Sequence, residues 1–359
     1  MAEFNVPMPA ITIIAPMYNV ERFIAPCLDS VLSQTFEDYE LIVVDDCSTD
    51  RSSEIAQTYV ERFNGRMRLI KMKKNTGGAA LPRNTGIRLS RGKYLAFLDT
   101  DDLFVDTALA DLYNAAVETN ADVVHTERYF TTGPDALDNH SELQIKTSEQ
   151  PGKVGFVDKI TVETHDLGQR MNMYVNGRFF WFPWGKLFRR DLVVENNIEF
   201  PNWPTADDTI FCFKCLCLAK NYVRIPNLTN VYRTNPESLT NKTLDVPKYI
   251  HRWVNIIVEG TRIIDEFMSG IDLFDKQPAY KFSVINFFVQ EKMNWINRAY
   301  IGRNMQDFDR LFRAEFKGGD NHVLTAYLFN MMLSYRLRLA QTRKAVADLK
   351  KGSADQKSV

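Results

Sequence analysis

Short, nearly uninterrupted apolar runs punctuate the amino-terminal third of this chain, and segments of helical period separate them. Ile11-Thr12-Ile13-Ile14-Ala15 is closed by Pro16, Leu41-Ile42-Val43-Val44 by Asp45 and Asp46, and Tyr94-Leu95-Ala96-Phe97-Leu98 by Asp99. Met67 to Met72 alternates well enough for a further strand, and residues 122–125 supply another. Between them Phe23, Ile24, Cys27, Leu28, Val31 and Leu32 recur at helical spacing. Ile55, Ala56, Tyr59, Val60 and Phe63 do the same behind Asp50, a good N-cap. Residues 82–90 and 106–118 read as two more helices. Strands apolar along their length are covered on both faces, and their alternation with helices makes a parallel sheet. The expected fold is α/β, a mostly parallel sheet with helices on both faces.

In such sheets ligands bind beyond the carboxyl ends of the strands. Here two strand ends carry carboxylates, Asp45/Asp46 and Asp99/Asp101/Asp102. Carboxylates there are costly to bury unpaired, so they need a cation, donors or water. Alternate acids in Asp99-Thr100-Asp101-Asp102 can present oxygens to a hard divalent cation, and Mn²⁺ or Mg²⁺ favours carboxylates together with phosphate oxygens. Such a cation can stabilise a departing diphosphate. An apolar strand ending in Asp-x-Asp also opens the haloacid-dehalogenase-type phosphatases, whose first Asp is a nucleophile. Leu103 stands where those enzymes usually have Thr or Val, and three strands precede the motif here. A phospho-receiver would need an acidic third strand end, and Met67 to Met72 runs into Lys73. In the other cluster Asp50 caps the next helix, while Asp46 suits a uracil imide or ribose hydroxyls.

The rest of the chain is less regular. Residues 130–165 are polar and turn-rich, and residues 176–190 are aromatic-rich, suited to a binding groove or to core. Long helices are expected over residues 249–268, 279–300 and 322–351, with a boundary near 240–248. The expected organisation is a catalytic domain over residues 1–244, with a donor half at about 10–126 and an acceptor half at about 127–244. A helical region over 245–351 and a disordered tail over 352–359 follow. The last helix carries Arg336, Arg338, Arg343, Lys344, Lys350 and Lys351 beside a stripe of Leu333, Leu337, Ala340 and Ala347. It suits an anionic membrane surface, the catalytic domain or a homodimer interface. Net charge is −1, which argues against nucleic-acid binding by bulk positive charge. No signal peptide and no spanning run of roughly 18 apolar residues is seen, so the expected location is cytoplasmic, with peripheral contact at the inner membrane face open. Cys212, Cys215 and Cys217 lack a second Cys/His pair at finger spacing and read as small buried residues of a helix.

Taken together, residues of about 10–240 resemble the family 2 glycosyltransferases with the GT-A, nucleotide-diphospho-sugar transferase fold. Pro16-Met17-Tyr18-Asn19 with Glu21 is similar to that family's opening Pro-x-Tyr-Asn, and Asp45 to Asp50 to its Asp-Asp-Gly-Ser-Thr-Asp. Asn75-Thr76-Gly77-Gly78 with Arg83-Asn84-Thr85-Gly86 resembles its Asn-x-Gly…Arg-Asn-x-Gly, and Asp99 to Asp102 its metal motif. Trp184-Gly185-Lys186-Leu187, Asp207-Asp208 and Tyr232-Arg233…Ser238 resemble later elements in the same order. The resemblance implies that Pro16, Tyr18, Glu21, Asp46 and Arg83 surround the nucleoside and diphosphate. It implies that Asp99, with Thr100, lies at the ribose or a ligand water, that Asp101 binds Mn²⁺ or Mg²⁺, and that Asp208 is the general base.

Trp184 and Asp207 would then stand on the acceptor side, with stacking on sugar and core packing both open for Trp184 and Trp203. Capping of a helix over residues 209–220 is the alternative for the acidic pair. A nucleotide-sugar donor, of uridine type, and a glycan or lipid-linked acceptor are implied, with inversion at the anomeric carbon. A donor-binding pseudoenzyme acting as a scaffold is the alternative. Three departures stand out: Cys47 replaces Gly, the stretch from Asn75 to Arg83 is longer and holds Pro82, and Asp207 replaces Glu. The absence of a following Gln-x-x-Arg-Trp points away from processive synthesis.

Overall fold

The computed structural model describes residues 8–133, 144–147, 157–235 and 246–300. Ser238, the basic helix expected over 322–351 and the tail at 352–359 lie outside the described residues. In chain order the elements are β1 (Ile11–Met17), α1 (Ile24–Leu32), β2 (Tyr39–Asp45), α2 (Ser52–Tyr59), β3 (Met67–Lys71), α3 (Ala80–Leu89), β4 (Tyr94–Phe97), β5 (Leu103–Phe104), α4 (Ala108–Glu118), β6 (Val123–Thr126) and β7 (Arg128–Thr132). There follow β8 (Gln144–Thr147), β9 (Thr161–Val162), α5 (Leu167–Val175), β10 (Lys186–Arg189), α6 (Arg190–Glu195), α7 (Asp207–Leu218), β11 (Tyr222–Ile225) and β12 (Asn230–Arg233). The last are α8 (Val246–Met268), α9 (Asp272–Lys276) and α10 (Pro278–Tyr300).

The large sheet has the order β3-β2-β1-β4-β10-β6-β11-β9. β1, β2, β3 and β4 are mutually parallel, as are β6 and β11, whereas β10 runs antiparallel between β4 and β6. Every residue of β1 and β2 is buried, as expected of strands covered on both faces. Ile11, Ile13 and Ala15 join Leu41, Val43 and the apolar faces of α1, α2 and α4 in one core. On the opposite face Ile14 lies against Gly86 of α3, where a Cβ would overlap it. A smaller sheet, β5-β12-β7-β8, lies beyond the carboxyl end of β4 in the chain.

Three boundaries differ from the sequence reading. Pro16 does not end β1: it pairs with Val44, and the strand runs to Met17. Proline's missing N–H costs only one ladder bond at a strand end. The second helix begins at Ser52, with Asp50 Oδ1 accepting from Ser52 N at 3.0 Å. The turn-rich excursion contains β7 and β9 and pairs β7 with β8.

Contacts divide the chain into Met1–Thr243 with Gly260–Gln290, and Leu244–Glu259 with Glu291–Val359. Within the first unit Phe288 closes on Gly260, and Phe287 packs 5.1 Å from Tyr174. Within the second, Trp253 stacks on Trp295 at 5.7 Å, and Tyr249 Oη donates to the Trp295 carbonyl. No helix among the described residues is long and apolar enough to cross a membrane.

Candidate active site

Parallel pairing brings the ends of β1, β2 and β4 to one edge, so residues 16–21, 45–50 and 98–102 meet without further design. Leu98 N donates to Ile14 O at 3.1 Å and Asp46 N to Met17 O at 2.8 Å, which fixes the depth of each loop. The loop after β1 is clasped to the loop after β2. Asn19 takes a left-handed φ of 49° and accepts Thr49 N at 2.7 Å. Glu21 accepts Arg51 N at 3.1 Å, while Glu21 N donates to Asp50 Oδ2 at 3.0 Å. Tyr18, 40% exposed, is left with its ring toward solvent.

Asp46 is buried, and its carboxylate accepts Thr76 N at 2.9 Å and Thr76 Oγ1 at 3.0 Å. Asn75 Nδ2 donates to the Asp46 carbonyl at 2.9 Å, so Asp46 holds the 75–78 loop over the edge. Burial pushes its carboxyl up, against the Thr76 donors. Cys47, where the resembled family has glycine, stands at φ 61°, a conformation costly for any side chain, and its thiol donates to Met72 O at 2.9 Å.

Arg83 of α3 is buried at 6% exposure and joins two distant carboxylates. Its Nη2 donates to Asp99 Oδ1 at 2.7 Å and its Nη1 to Asp207 Oδ2 at 3.2 Å. Burial works against its charge, but Asp99 and then Asp207 outweigh that and hold the guanidinium protonated. The residue expected at the diphosphate thus ties the motif after β4 to the start of α7. Thr100 Oγ1 donates to Pro16 O at 2.8 Å, pinning the 99–102 turn to β1.

On the far side of that turn Arg233 N donates to Asp102 Oδ1 at 2.9 Å and Arg233 Nε to Asp101 O at 2.6 Å, while Asn235 Nδ2 reaches Asp101 Oδ2 at 3.0 Å. Asn235 carried no sequence signal, and Arg233 was visible only as part of Tyr232-Arg233. Burial and then the charge of Asp99 push the Asp101 carboxyl up. Burial, then Asp101 and Asp99, push Asp102 well up. These crowded acids lack enough fixed positive charge, and hard oxygen donors under that pressure fit a divalent cation. No group of three or more His, Cys, Asp or Glu among the described residues could hold a metal by itself, so phosphate oxygens would have to complete the set.

Helix α7 begins at Asp207, and its N-cap is Ala206 at φ 63°, with no side-chain cap bond. Neither acid is the capping residue; both lie in the first turn, where the helix end favours negative charge. Asp207 is buried against Arg83, and burial pushes its carboxyl up while Arg83 opposes. Asp208 is half-buried. Further along α7, Cys212, Cys215 and Cys217 are buried free thiols, their acidity suppressed by burial.

Beside this edge, half-buried rings form a wall. Trp184 stacks on Phe182 at 3.8 Å and 6°, Phe182 on Phe180 at 4.7 Å, and Tyr232 lies 6.4 Å from Trp184. Tyr129 meets Trp184 edge-on at 5.0 Å. Trp203 is instead buried, its ring beside Gly260.

Residues 12–193 match the family described as Glycosyl transferase family 2. The chain belongs to glycosyl transferase family 2. This family 2 member is 33% identical over 236 residues to the uncharacterized glycosyltransferase EpsJ of Bacillus subtilis, 65% of this chain and 63% of that one. It is 31% identical over 218 residues to the poly(ribitol-phosphate) beta-N-acetylglucosaminyltransferase TarP of Staphylococcus aureus, 60% of each chain. The matches therefore span somewhat under two thirds of those relatives' lengths. The fold is similar to that of S. aureus TarS 1-349 in complex with UDP-GlcNAc, with a TM-score of 0.55, 21% identity, and 77% of this chain and 80% of that chain covered. Arg233, Asn235 and Asp208 lie beyond the family match, which ends at residue 193.

Proposed function

We propose that this chain is an inverting transferase, moving a sugar from a uridine-diphosphate sugar to a hydroxyl of a glycan or lipid-linked acceptor. The observation that carries the reading is the junction built by Arg83, which ties Asp99 of the donor motif to Asp207, the neighbour of Asp208. In this reading the leaving-group and proton-accepting groups are linked through one guanidinium. A nucleotide-sugar donor is supported by the family and by the UDP-GlcNAc in the TarS complex. A polymer acceptor is supported by TarP, whose name gives poly(ribitol-phosphate).

In this reading Pro16, Tyr18, Glu21 and Asp46 border the nucleoside, with Tyr18 offering a ring face and Asp46 a carboxylate. Arg83, Asp99 and Thr100 shape the diphosphate and ribose side, and Asp101 is the metal ligand. Mn²⁺ or Mg²⁺, when bound, would neutralise charge on the departing diphosphate. Asp208 takes the proton of the acceptor hydroxyl as that oxygen attacks the anomeric carbon. The bond to the diphosphate oxygen breaks on the opposite face, its electron pair leaving with the nucleoside diphosphate, and the centre inverts. Trp184 and Asp207 stand on the acceptor side. In the same reading residues 1–244 carry the catalytic chemistry, with donor and acceptor halves divided near 126.

The test is donor hydrolysis and transfer with Mn²⁺ for wild type, Asp101→Ala and Asp208→Asn. Transfer should be lost in both variants, and UDP binding should weaken only in Asp101→Ala. Undiminished transfer in both would refute the assignment. A scaffold would instead bind UDP-sugars and turn none over.

A further inference from the structure

Lys186 has no part in the reaction just described, yet its setting is unusual. It lies on β10 at 1% exposure. Buried ammonium groups normally sit against a carboxylate. Among the described residues Lys186 has no ion pair, and its Nζ donates to the Phe182 carbonyl at 2.5 Å, lying 5.1 Å from the Phe182 ring. The chain reverses between the two through Gly185, at φ 67°. The lysine therefore closes a short loop that carries Phe182 and Trp184, two stacked rings of the aromatic wall, with Phe180 stacked on Phe182.

The groups facing it narrow what it can do. From β6, His125 is its cross-strand partner. From α7 come Cys212, Asp208 and Cys215. Burial, then the charges of Lys186 and Arg224, hold the His125 imidazole far below its ordinary range, so it is neutral. Burial pushes the Cys212 thiol up to about 12 and the Cys215 thiol well up, so both stay protonated. Asp208 is left as the carboxylate on that side.

We propose that Lys186 is a positioning residue for the acceptor, its ammonium locking the Phe182 carbonyl, and through it the ring wall, in register with Asp208. This rests on reading Asp208 as the base and the Trp184 wall as the acceptor surface. Burial lowers the Lys186 ammonium to about 8, so the tie is charge-assisted at neutral pH and weakens above that value.

The test uses full-length Lys186→Met, which keeps most of the stem. With UDP-sugar and p-nitrophenyl glycoside acceptors, acceptor KM should rise about tenfold or more, the scale of one charge-assisted hydrogen bond, while UDP Kd stays unchanged. In wild type acceptor KM should climb above about pH 8 with UDP Kd flat, and the climb should vanish in the variant. Hydrogen exchange across residues 180–186 should quicken in Lys186→Met without change in β1 to β4. A normal acceptor KM with the wild-type pH profile overturns the proposal, as does an equal loss of donor and acceptor affinity. Should the variant fail to fold, the wild-type pH series decides, a flat acceptor KM being the refuting result. Asp208→Asn keeps the readings apart: undiminished transfer there refutes the base, whereas an unaltered Lys186→Met refutes the tie.

Discussion

The two ends of the large sheet both bury carboxylates, and they treat them in opposite ways. At the amino end Glu40 accepts Thr12 Oγ1 at 2.7 Å, Arg91 N at 2.7 Å, Arg91 Nε at 3.0 Å and Arg68 Nη2 at 3.1 Å. Burial raises its carboxyl, but these donors outweigh burial and hold it below the usual range. At the carboxyl end Asp46, Asp101, Asp102 and Asp207 are all raised, with burial the largest cause. The same side-chain chemistry is saturated at one edge and left under-neutralised at the other. A saturated acid has nothing left to bind, whereas an under-neutralised cluster favours whatever brings positive charge or donors.

This contrast can be broken. Asp208→Asn should lower transfer by about 10²- to 10⁴-fold with UDP affinity and unfolding midpoint unchanged, measured by kinetics, calorimetry and urea titration. A comparable loss of stability would mean that Asp208 is structural. Arg83→Met removes the cation that Asp99 and Asp207 share and should cost about 3–5 kcal/mol in urea unfolding, since it leaves a buried carboxylate uncompensated. A cost below about 1 kcal/mol would show that the junction is not held by this pair.

Glu40→Gln should cost about 1.5–3 kcal/mol of stability at neutral pH and leave transfer intact. A depressed folded-state carboxyl stabilises above its unfolded value, about 4.3, and the contribution disappears as pH falls through the lower folded value. The variant and wild type should therefore converge in acid, and a difference that persists there would count against the charge. The smallest effect is expected for Cys47→Gly. Relief of the left-handed strain is offset by glycine's flexibility, so stability should stay within about 1 kcal/mol. A larger loss would give the thiol bond to Met72 a structural role.

The acidic edge of the parallel strands was legible because its signals are local. An apolar strand followed by acids states both where the strand stops and where the acids point, and parallel pairing then gathers Pro16, Asp46 and Asp99 at one edge. The surroundings of β10 were legible only in fragments. Trp184-Gly185-Lys186 read as a motif, yet nothing in it says that β10 enters antiparallel between β4 and β6. Asn235 could not be found at all, since a lone polar residue in a turn has no period and no partner in sequence.

Resemblance to a family made Asp208 a candidate; what the sequence determined by itself was the alternation of strand and helix and the sheet edge that carries the acids, Asp101 among them. Hydrophobic period and chain direction decide those things residue by residue. Only the tertiary structure decided that Arg83 joins Asp99 to Asp207, 124 positions apart in the chain from its own place to Asp207, and that Arg233 and Asn235 brace the 99–102 turn. Such contacts depend on which loops close over the same edge, and loop closure is governed by packing of the whole domain and not by any local pattern.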